Sequence, residues 1–331
     1  GRTIGLQNLY LKDDSQNPSA SFKDRASAVV VRRAIDIEAP LISAASTGNA
    51  GSSLACMAAA QGLNSVIFVP ESAPKAKLAQ TLCFGARLLA VRGTYDDAFE
   101  LCREASNTYG WFNRSTGLNP FTREGKKTCA FEIWEDLGRK VPDRIVVATG
   151  DGNIISGIWK GWRDLQALGL IDRLPKLDCA QSSGSAAISN AVRRLQAAGP
   201  DTIDWSRAAV LPVKAATLAD SISVDQPRDG LVAVQAVLNS GGEAIEVSDE
   251  SILEALAEMS RLSGIFPEPA AAAPWAALKK MRAQDLVSSG ELIVCIVSGN
   301  GLNDVPGARK ATSRPVVIDP DLGAVEQALN L

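Results

Sequence analysis

The stretch of sequence that decides the fold of this chain is residues 17–25, which read Asn-Pro-Ser-Ala-Ser-Phe-Lys-Asp-Arg. Pro18 and the small residues after it predict a turn. Apolar residues then recur over residues 23–34 near the i, i+3, i+4 spacing of an amphipathic helix, which puts Lys23 at the start of that helix. The positive end of the helix dipole and partial burial both disfavour an ammonium there, so we expect a lowered pKa for Lys23.

A lysine with a lowered pKa is suited to one kind of chemistry. Its deprotonated amine attacks carbonyl groups and forms Schiff bases, which an ammonium cannot do. The alternative is a solvated lysine within a Lys-Asp-Arg cluster, which is the ordinary interpretation of a lysine considered alone. Features elsewhere in the sequence decide between the two.

The composition restricts both the chemistry and the partners of the protein. The 331 residues include no histidine, which excludes Ser-His-Asp triads, Cys-His dyads and histidine-ligated metal sites. Lysine and arginine total 34 against 37 aspartate and glutamate, and no basic block is present, so we expect no nucleic-acid or anionic membrane partner. No apolar run approaches the roughly 18 residues that a membrane span needs. Because the chain has no histidine, lysine, carboxylates, hydroxyls or a cofactor must move any protons that a reaction requires.

The cysteines and the first residues predict a cytoplasmic protein. No Cys-x-x-Cys pair is present, most cysteines have apolar neighbours, and residues 1–5 lack a signal-peptide core and an initiator Met. We expect buried, reduced thiols rather than disulfides or a zinc site. The cysteines are Cys56, Cys83, Cys102, Cys129, Cys179 and Cys295.

Short β-branched segments alternate with alanine-rich segments of helical period. This alternation is typical of an α/β fold with largely parallel sheets. A long segment with few clear periods, residues 210–230, is expected to be a functional loop. The predicted strands are residues 41–43, 65–69, 87–91, 144–148 and 292–297, and the predicted helices between them are residues 52–61, 76–84, 95–106 and 157–168.

Two turns between a predicted strand and a predicted helix carry groups that bind anions. Residues 150–154, Gly-Asp-Gly-Asn-Ile, would expose backbone N–H groups at a helix N-terminus, which suits a phosphate. The alternatives are a plain tight turn or a dinucleotide-binding loop. The second is disfavoured because this chain has the spacing Gly-x-Gly-x-x-x-x-Gly, whereas dinucleotide-binding loops have Gly-x-Gly-x-x-Gly. Residues 46–49, Ser-Thr-Gly-Asn, suit a carboxylate in the same way, the alternative being ordinary N-capping.

These motifs together resemble the fold-type II family of pyridoxal-phosphate enzymes, and within it the threonine synthases. Residues 17–25 match the family's lysine motif, Asn-Pro-Ser/Thr-Gly-Ser-Phe-Lys-Asp-Arg. Further family-like segments follow in family order up to about residue 304, and this ordered agreement favours the reactive interpretation of Lys23. Those segments are residues 46–51, 119–128, 150–153, 268–270 and 298–304.

The resemblance implies a fold and an arrangement of lobes. The fold is α/β and like that of the tryptophan synthase β subunit, with two lobes that each have a mainly parallel sheet flanked by helices. Residues 1–36 and 125–331 would form the large lobe, and residues 37–124 a small inserted lobe, with the cofactor between them. Family members commonly form homodimers. They usually carry further residues before this chain's first one, so we expect a trimmed or partial chain.

The resemblance also implies roles for individual residues. Lys23 would hold pyridoxal 5′-phosphate covalently, Asn49 would contact the ring hydroxyl, and residues 150–154 would bind the 5′-phosphate. A hydroxyl at position 298 would face the pyridine nitrogen and leave it largely unprotonated, which suits elimination and replacement chemistry. The implied cofactor-binding residues are Lys23, Asn49, Gly150, Asp151, Gly152, Asn153, Ile154 and Ser298, and the implied substrate-binding residues are Ser46, Thr47 and Ala50. Lys126 and Lys127 are further substrate-binding candidates on their charge alone, and no metal is expected.

One segment departs from the family pattern. Threonine synthases commonly read Asn-Pro-Tyr-Arg-Ile-Glu-Gly-Gln-Lys-Thr, and their arginine helps to bind the phosphate of the substrate. The aligned residue here is Thr122, with Arg123 one position later, and a shift of one residue turns an extended side chain to the other face. We therefore expect Lys126 or Lys127 to supply the positive charge, the alternative being that both are solvated at a helix start. Residues 219–230 also depart from the usual Ile-Gly-Asn-Pro form.

The implied activity is the conversion of O-phospho-L-homoserine and water to L-threonine and phosphate. Lys23 would carry protons at the α, β and γ carbons. The nearest alternative is another elimination or replacement enzyme of the same fold, such as a threonine or serine dehydratase or a phosphoserine-dependent synthase. This alternative stays open because Thr122 stands where threonine synthases usually have an arginine. A non-catalytic or nucleotide-binding α/β protein, in which Lys23 is incidental, is the second.

Overall fold

The computed structural model describes residues 1–73, 75–199 and 203–330. Within these residues the chain forms two sheets, and every strand pair in them is parallel. The strands are β1 (Asn8–Asp13), β2 (Ile42–Ala45), β3 (Ser65–Pro70), β4 (Arg87–Val91), β5 (Phe112–Asn113), β6 (Arg144–Ala148), β7 (Lys176–Ser182), β8 (Ala244–Val247) and β9 (Leu292–Val297).

Helices connect the strands and cover the faces of the sheets. The helices are α1 (Lys23–Asp36), α2 (Asn49–Ala60), α3 (Lys75–Cys83), α4 (Tyr95–Tyr109), α5 (Phe121–Lys126), α6 (Thr128–Asp136), α7 (Asn153–Ala167), α8 (Ala187–Ala197), α9 (Gly230–Ser240), α10 (Asp249–Ser263), α11 (Pro269–Ala283), α12 (Val305–Ala308) and α13 (Leu322–Leu329). In the described part of the chain, no helix combines the length and apolar character needed to cross a membrane.

The larger sheet has five strands among the described residues, in the order β1-β9-β6-β7-β8. All residues of β6 are buried, as are nearly all of β9, because helices cover both faces of a parallel sheet and leave no strand face for water. One face packs on α11, whose alanines Ala270–Ala273 let the helix approach closely. The other face packs on α7, which presents Ile155, Ile158, Trp162 and Leu165 at helical spacing.

The smaller sheet has four strands in the described residues, in the order β4-β3-β2-β5. One core joins α1 and α2 to it through Val30, Leu54 and Ile67, and a second core joins α4 to its other face through Phe68 and Phe99. The predicted α/β class with mainly parallel sheets is confirmed. The strands of this sheet all come from residues 42–113, and the lobe boundaries after residues 36 and 124 stay a prediction.

The cysteines follow the sequence expectation except at one position. All six are free thiols, and five are buried. Cys83 is exposed, so the expectation of a buried thiol is wrong there. Cys83 is the last residue of α3, and the neighbouring Leu82 is exposed as well. The adjacent Phe84 packs against the core instead.

Candidate active site

A cavity lies where the carboxyl ends of the central strands of the larger sheet meet the start of α1. Parallel strands place their carboxyl ends at one edge of a sheet, where the loops that follow them converge. The ends of β6 and β9 contribute Thr149 and Ser298 here. The lining residues are Lys23, Thr116, Lys126, Ala148, Thr149, Gly150, Asp151, Gly152, Asn153, Ile154, Ser221, Ile222, Glu268, Ala270 and Ser298.

Backbone contacts with the end of β9 fix the position of Lys23. Phe22 is fully buried, and its N–H donates to the Ser298 carbonyl at 2.9 Å. Ser21 and Gly299 form an isolated antiparallel bridge beside this bond. Because α1 begins at Lys23, the lysine side chain starts directly beside Ser298, and both residues line the cavity.

The electrostatic surroundings of Lys23 favour its neutral amine. Burial lowers the pKa of Lys23 below the usual 10.5, and the cationic side chain of Arg114 lowers it further, while the Glu268 carboxylate opposes the shift. This direction agrees with the expectation from the sequence, and burial is its largest cause. A neutral amine is the nucleophilic form of lysine.

The glycine-rich turn after β6 forms a close backbone cradle. Gly152 has φ of 87°, a conformation that favours glycine, and a Cβ there would come within 2.8 Å of the Ala233 side chain. A Cβ on Gly150 would lie 2.9 Å from the Ile222 backbone. Since α7 begins at Asn153, the turn presents the unpaired N–H groups of a helix start to the cavity. This arrangement suits a phosphate.

Lys126 is a buried cation beside that turn. Its Nζ donates to the Asn153 side-chain oxygen, and the Asn153 amide nitrogen donates to Asp229 at 2.8 Å. Burial moves the pKa of Lys126 well below the usual value, and the cations of Lys23 and Arg114 act in the same direction. Lys126 therefore brings an amine to the phosphate-binding end of the cavity, and the negative charge of a bound phosphate would favour its protonated form there.

The structure places Lys127 outside the lining of this cavity, and its predicted contact with the substrate stays a prediction. Its Nζ lies 2.7 Å from Glu124 and 3.0 Å from Asp164. Successive helical residues point in directions about 100° apart, so Lys126 and Lys127 cannot face the same site. Arg123 is also outside the lining, and its guanidinium pairs with Asp229.

The loop after β2 meets the site through Asn49. Helix α2 begins at Asn49, and the Asn49 amide donates to both oxygens of Glu268, at 3.1 and 3.0 Å. Ser46, Thr47 and Ala50 are half-buried on the same loop and do not line the cavity. Their predicted contact with the substrate carboxylate stays a prediction.

Glu268 is a site residue whose role the sequence does not predict. It caps α11 and is 3% exposed. Burial raises its pKa, while the hydrogen bond from Asn49 and the charge of Lys23 oppose the shift. The Glu-Pro-Ala sequence at residues 268–270 resembles the family's, but that resemblance does not imply a function for Glu268. Thr116 carries no comparable signal, because it lies in a turn-rich loop after β5.

The segment of residues 210–230 contributes to the cavity as a loop. It contains a short 3₁₀ turn, Asp220–Ile222, from which Ser221 and Ile222 enter the lining. Its buried residues Ala219 and Ile222 pack into the core beside α11. The segment is thus a loop beside the cavity, and its functional role stays a prediction.

Comparison with known proteins identifies the class to which this fold and site belong. The family model for pyridoxal-phosphate dependent enzymes matches residues 1–299, so the chain belongs to that family. The threonine synthase of Methanocaldococcus jannaschii is 36% identical over 329 residues, which cover 99% of this chain and 78% of that protein. The threonine synthase of Mycobacterium tuberculosis is 34% identical over 315 residues, covering 94% and 82%. The predicted family membership is confirmed.

Solved structures show the same fold. Threonine deaminase isoform 2 from Solanum lycopersicum matches with a TM-score of 0.77 at 19% identity, covering 94% of this chain and 84% of that one. Maize serine racemase matches with a TM-score of 0.75 at 19% identity, covering 99% and 88%. At this level of identity the matches bear on the fold alone, and they confirm the predicted fold-type II architecture.

The residues of the cavity fit pyridoxal 5′-phosphate. Lys23 offers an amine with a lowered pKa, which is the group that holds this cofactor in its enzymes. The cradle at Gly150 and Gly152 leaves no room for a Cβ, and it opens onto the first turn of α7, which suits the cofactor's phosphate. A lysine and a phosphate-binding turn thus line one cavity.

Proposed function

We propose that this chain converts O-phospho-L-homoserine and water to L-threonine and phosphate. One observation carries the proposal: Lys23, the glycine-rich turn of residues 150–154 and the buried side chain of Lys126 line one cavity. The first two groups suit the cofactor, and the third suits a phosphorylated substrate. Relatives named threonine synthase that match almost the whole chain give the proposal its specific form.

The proposed reaction changes two carbons of the substrate. The bond from the γ carbon to the phosphate oxygen breaks, and the γ carbon gains a proton. The β carbon loses a proton and receives the hydroxyl of water. Bound pyridoxal phosphate supplies an electron sink for the negative charge that develops at the substrate carbons.

Lys23 is the residue best placed to move these protons. Its lowered pKa keeps a neutral amine available to accept a proton, and the resulting ammonium can return it. Glu268, with its raised pKa, lies close enough to Lys23 for their charges to interact. The titratable side chains that line the cavity in the described part of the chain are Lys23, Lys126, Asp151 and Glu268.

The nearest alternative is a dehydratase or a phosphoserine-dependent synthase. The observation that favours it is Thr122, which is buried and whose hydroxyl donates to the Asn119 carbonyl at 2.8 Å. Thr122 therefore does not replace the arginine that threonine synthases commonly use for phosphate. Lys126 compensates in part for the missing arginine, because it places a basic side chain in the lining of the cavity.

A comparison of four substrates tests the proposal. The cofactor-loaded enzyme is given O-phospho-L-homoserine, O-phospho-L-serine, L-threonine or L-serine, and released phosphate and amino-acid products are quantified. We expect turnover of O-phospho-L-homoserine to exceed that of the other three. If the parent enzyme prefers threonine or serine and forms a 2-oxo acid, it is a dehydratase. If it prefers O-phosphoserine, it is a phosphoserine-dependent synthase.

We also infer that the protein acts in the cytoplasm as a homodimer. The inference rests on the family resemblance and on the six free thiols, which suit a reducing compartment. Light scattering of the purified chain tests the dimer, and a mass equal to one chain at micromolar concentration contradicts it.

A further inference from the structure

Arg114 is a buried cation without a role in the reaction described so far. It follows β5 and is 1% exposed. Its Nε donates to the Ser27 hydroxyl at 3.2 Å. Among the described residues, its Nη2 has no hydrogen-bond partner. A buried guanidinium with an unpaired N–H group is costly and rare in folded proteins, so a ligand is the natural partner for it.

Arg114 is not itself among the residues that line the cavity, but two observations place it directly behind that lining. Ser27 lies on α1 four residues after Lys23, and residues at that spacing share one helix face. Thr116, two residues after Arg114, lines the cavity together with Lys23 and Lys126. The Arg114 backbone is fixed as well, because its N–H donates to the Ser43 carbonyl of β2 at 2.8 Å.

Electrostatic interactions agree with this placement. The charge of Arg114 lowers the pKa of both Lys23 and Lys126. Burial lowers the pKa of Arg114 itself to about 10, opposed by Tyr95 and Asp24. The Asp24 carboxylate accepts hydrogen bonds from the Ser19 N–H at 2.7 Å and from the Ser19 hydroxyl at 2.5 Å. Asp24 thus has hydrogen-bond donors of its own, and among the described residues the Nη2 group of Arg114 has no partner.

We propose that Arg114, together with Lys126, binds the phosphate group of the substrate in place of the arginine that is missing at Thr122. A guanidinium recognises phosphate oxygens through directed, charge-assisted hydrogen bonds. The other candidate cations have carboxylate partners, since Arg123 pairs with Asp229 and Lys127 with Glu124 and Asp164. This assignment deepens the proposed function and rests on it, because it presumes a phosphorylated substrate.

The experiment uses cofactor-loaded parent enzyme, Arg114→Gln, and the control Arg32→Gln, which removes an exposed arginine of α1 that pairs with Asp36. Titration calorimetry measures the dissociation constant of inorganic phosphate, and steady-state kinetics measures KM and kcat for O-phospho-L-homoserine. We expect Arg114→Gln to raise the dissociation constant of inorganic phosphate and the KM by about 10- to 100-fold, as for loss of a charge-assisted hydrogen bond. Binding of phosphate-free L-threonine, followed by cofactor absorbance, stays as in the parent.

An unchanged dissociation constant for inorganic phosphate in cofactor-saturated Arg114→Gln overturns the proposal. If Arg114→Gln fails to fold or to bind the cofactor, Arg114→Lys is measured instead, because it keeps the positive charge and loses the planar set of N–H donors. Weaker phosphate binding by Arg114→Lys supports the proposal, and unchanged binding contradicts it. A parent enzyme that binds inorganic phosphate through Arg114 and does not turn over O-phospho-L-homoserine refutes the proposed function and leaves the anion site standing.

Discussion

Asn49 donates its side-chain amide to both carboxylate oxygens of Glu268, at 3.1 and 3.0 Å, across 219 residues of sequence. Asn49 begins α2 beside the smaller sheet, and Glu268 caps α11 beside the larger one. The bond therefore connects elements of the two sheets at the edge of the cavity. It also supplies partners for a buried carboxylate, which would otherwise be costly.

The first prediction concerns the strength of this bond. A double-mutant cycle of Asn49→Ala and Glu268→Gln is measured by urea unfolding of the cofactor-free chain. We expect a coupling free energy of about 1.5–3 kcal/mol, because the acceptor is charged and buried. Additive effects of the two substitutions would mean that the residues do not interact in solution.

The second prediction concerns the pH dependence of cofactor uptake. The neutral amine of Lys23 is the reactive form, and its folded pKa lies below the ordinary 10.5. The rate at which cofactor-free enzyme takes up pyridoxal phosphate should therefore rise with pH and level off below pH 10.5. Removing the Glu268 carboxylate, which raises this pKa, should move the plateau of Glu268→Gln to still lower pH.

Stopped-flow absorbance measures both profiles. Nα-acetyl-lysine amide, whose only amine is the ε-amine, is the control for the ordinary side chain, and its rate should keep rising to higher pH. A parent enzyme whose rate follows the lysine control would show that Lys23 has an ordinary pKa.

The third prediction concerns Gly152. Alanine at this position meets two penalties, namely a φ of 87° that disfavours a side chain and a Cβ only 2.8 Å from the Ala233 side chain. The turn must shift, so we expect Gly152→Ala to weaken cofactor binding by at least about tenfold, since a strained residue costs of order 1–3 kcal/mol. Equilibrium dialysis measures the affinity. Gly169→Ala is the control, since Gly169 also has a positive φ and a Cβ there would meet open space.

The fourth prediction separates two adjacent lysines. Lys126→Met should raise the KM for O-phospho-L-homoserine or lower kcat by about one to two orders of magnitude, because a charge-assisted contact contributes roughly 1.5–3 kcal/mol. Lys127→Met should leave both constants near the parent values, since it loses only partly exposed ion pairs with Glu124 and Asp164. Equal losses in both variants would contradict the assigned geometry.

The sequence predicts the fold wherever a local pattern is strong. The buried strands β3, β6 and β9 read as continuous apolar runs and were found within one residue of their observed ends. Strands β1, β7 and β8 were missed, because charged or polar residues such as Lys12, Asp178 and Glu246 interrupt their patterns. Asp178 is nevertheless buried, paired with Arg144 at 2.9 Å, and such long-range pairing leaves no trace in a local pattern.

The site was predictable where its chemistry is carried by a motif. Lys23 and the turn of residues 150–154 stand out in the sequence, and both line the cavity. The helix starts at Asn49 and Asn153 came earlier than expected, because Gly51 and Gly157 provide close packing rather than apolar periodicity. Arg114 and Thr116 could not be found from the sequence, since only the tertiary fold brings the loop after β5 to α1.

The measurement that tests the central claim most directly is turnover of O-phospho-L-homoserine in water enriched in ¹⁸O. The proposed reaction breaks the carbon–oxygen bond at the γ carbon and adds water at the β carbon. Mass spectrometry should therefore find one ¹⁸O in the hydroxyl of L-threonine and none introduced into the released phosphate by the reaction. Labelled phosphate together with homoserine would show simple phosphate hydrolysis, and that result would contradict the account.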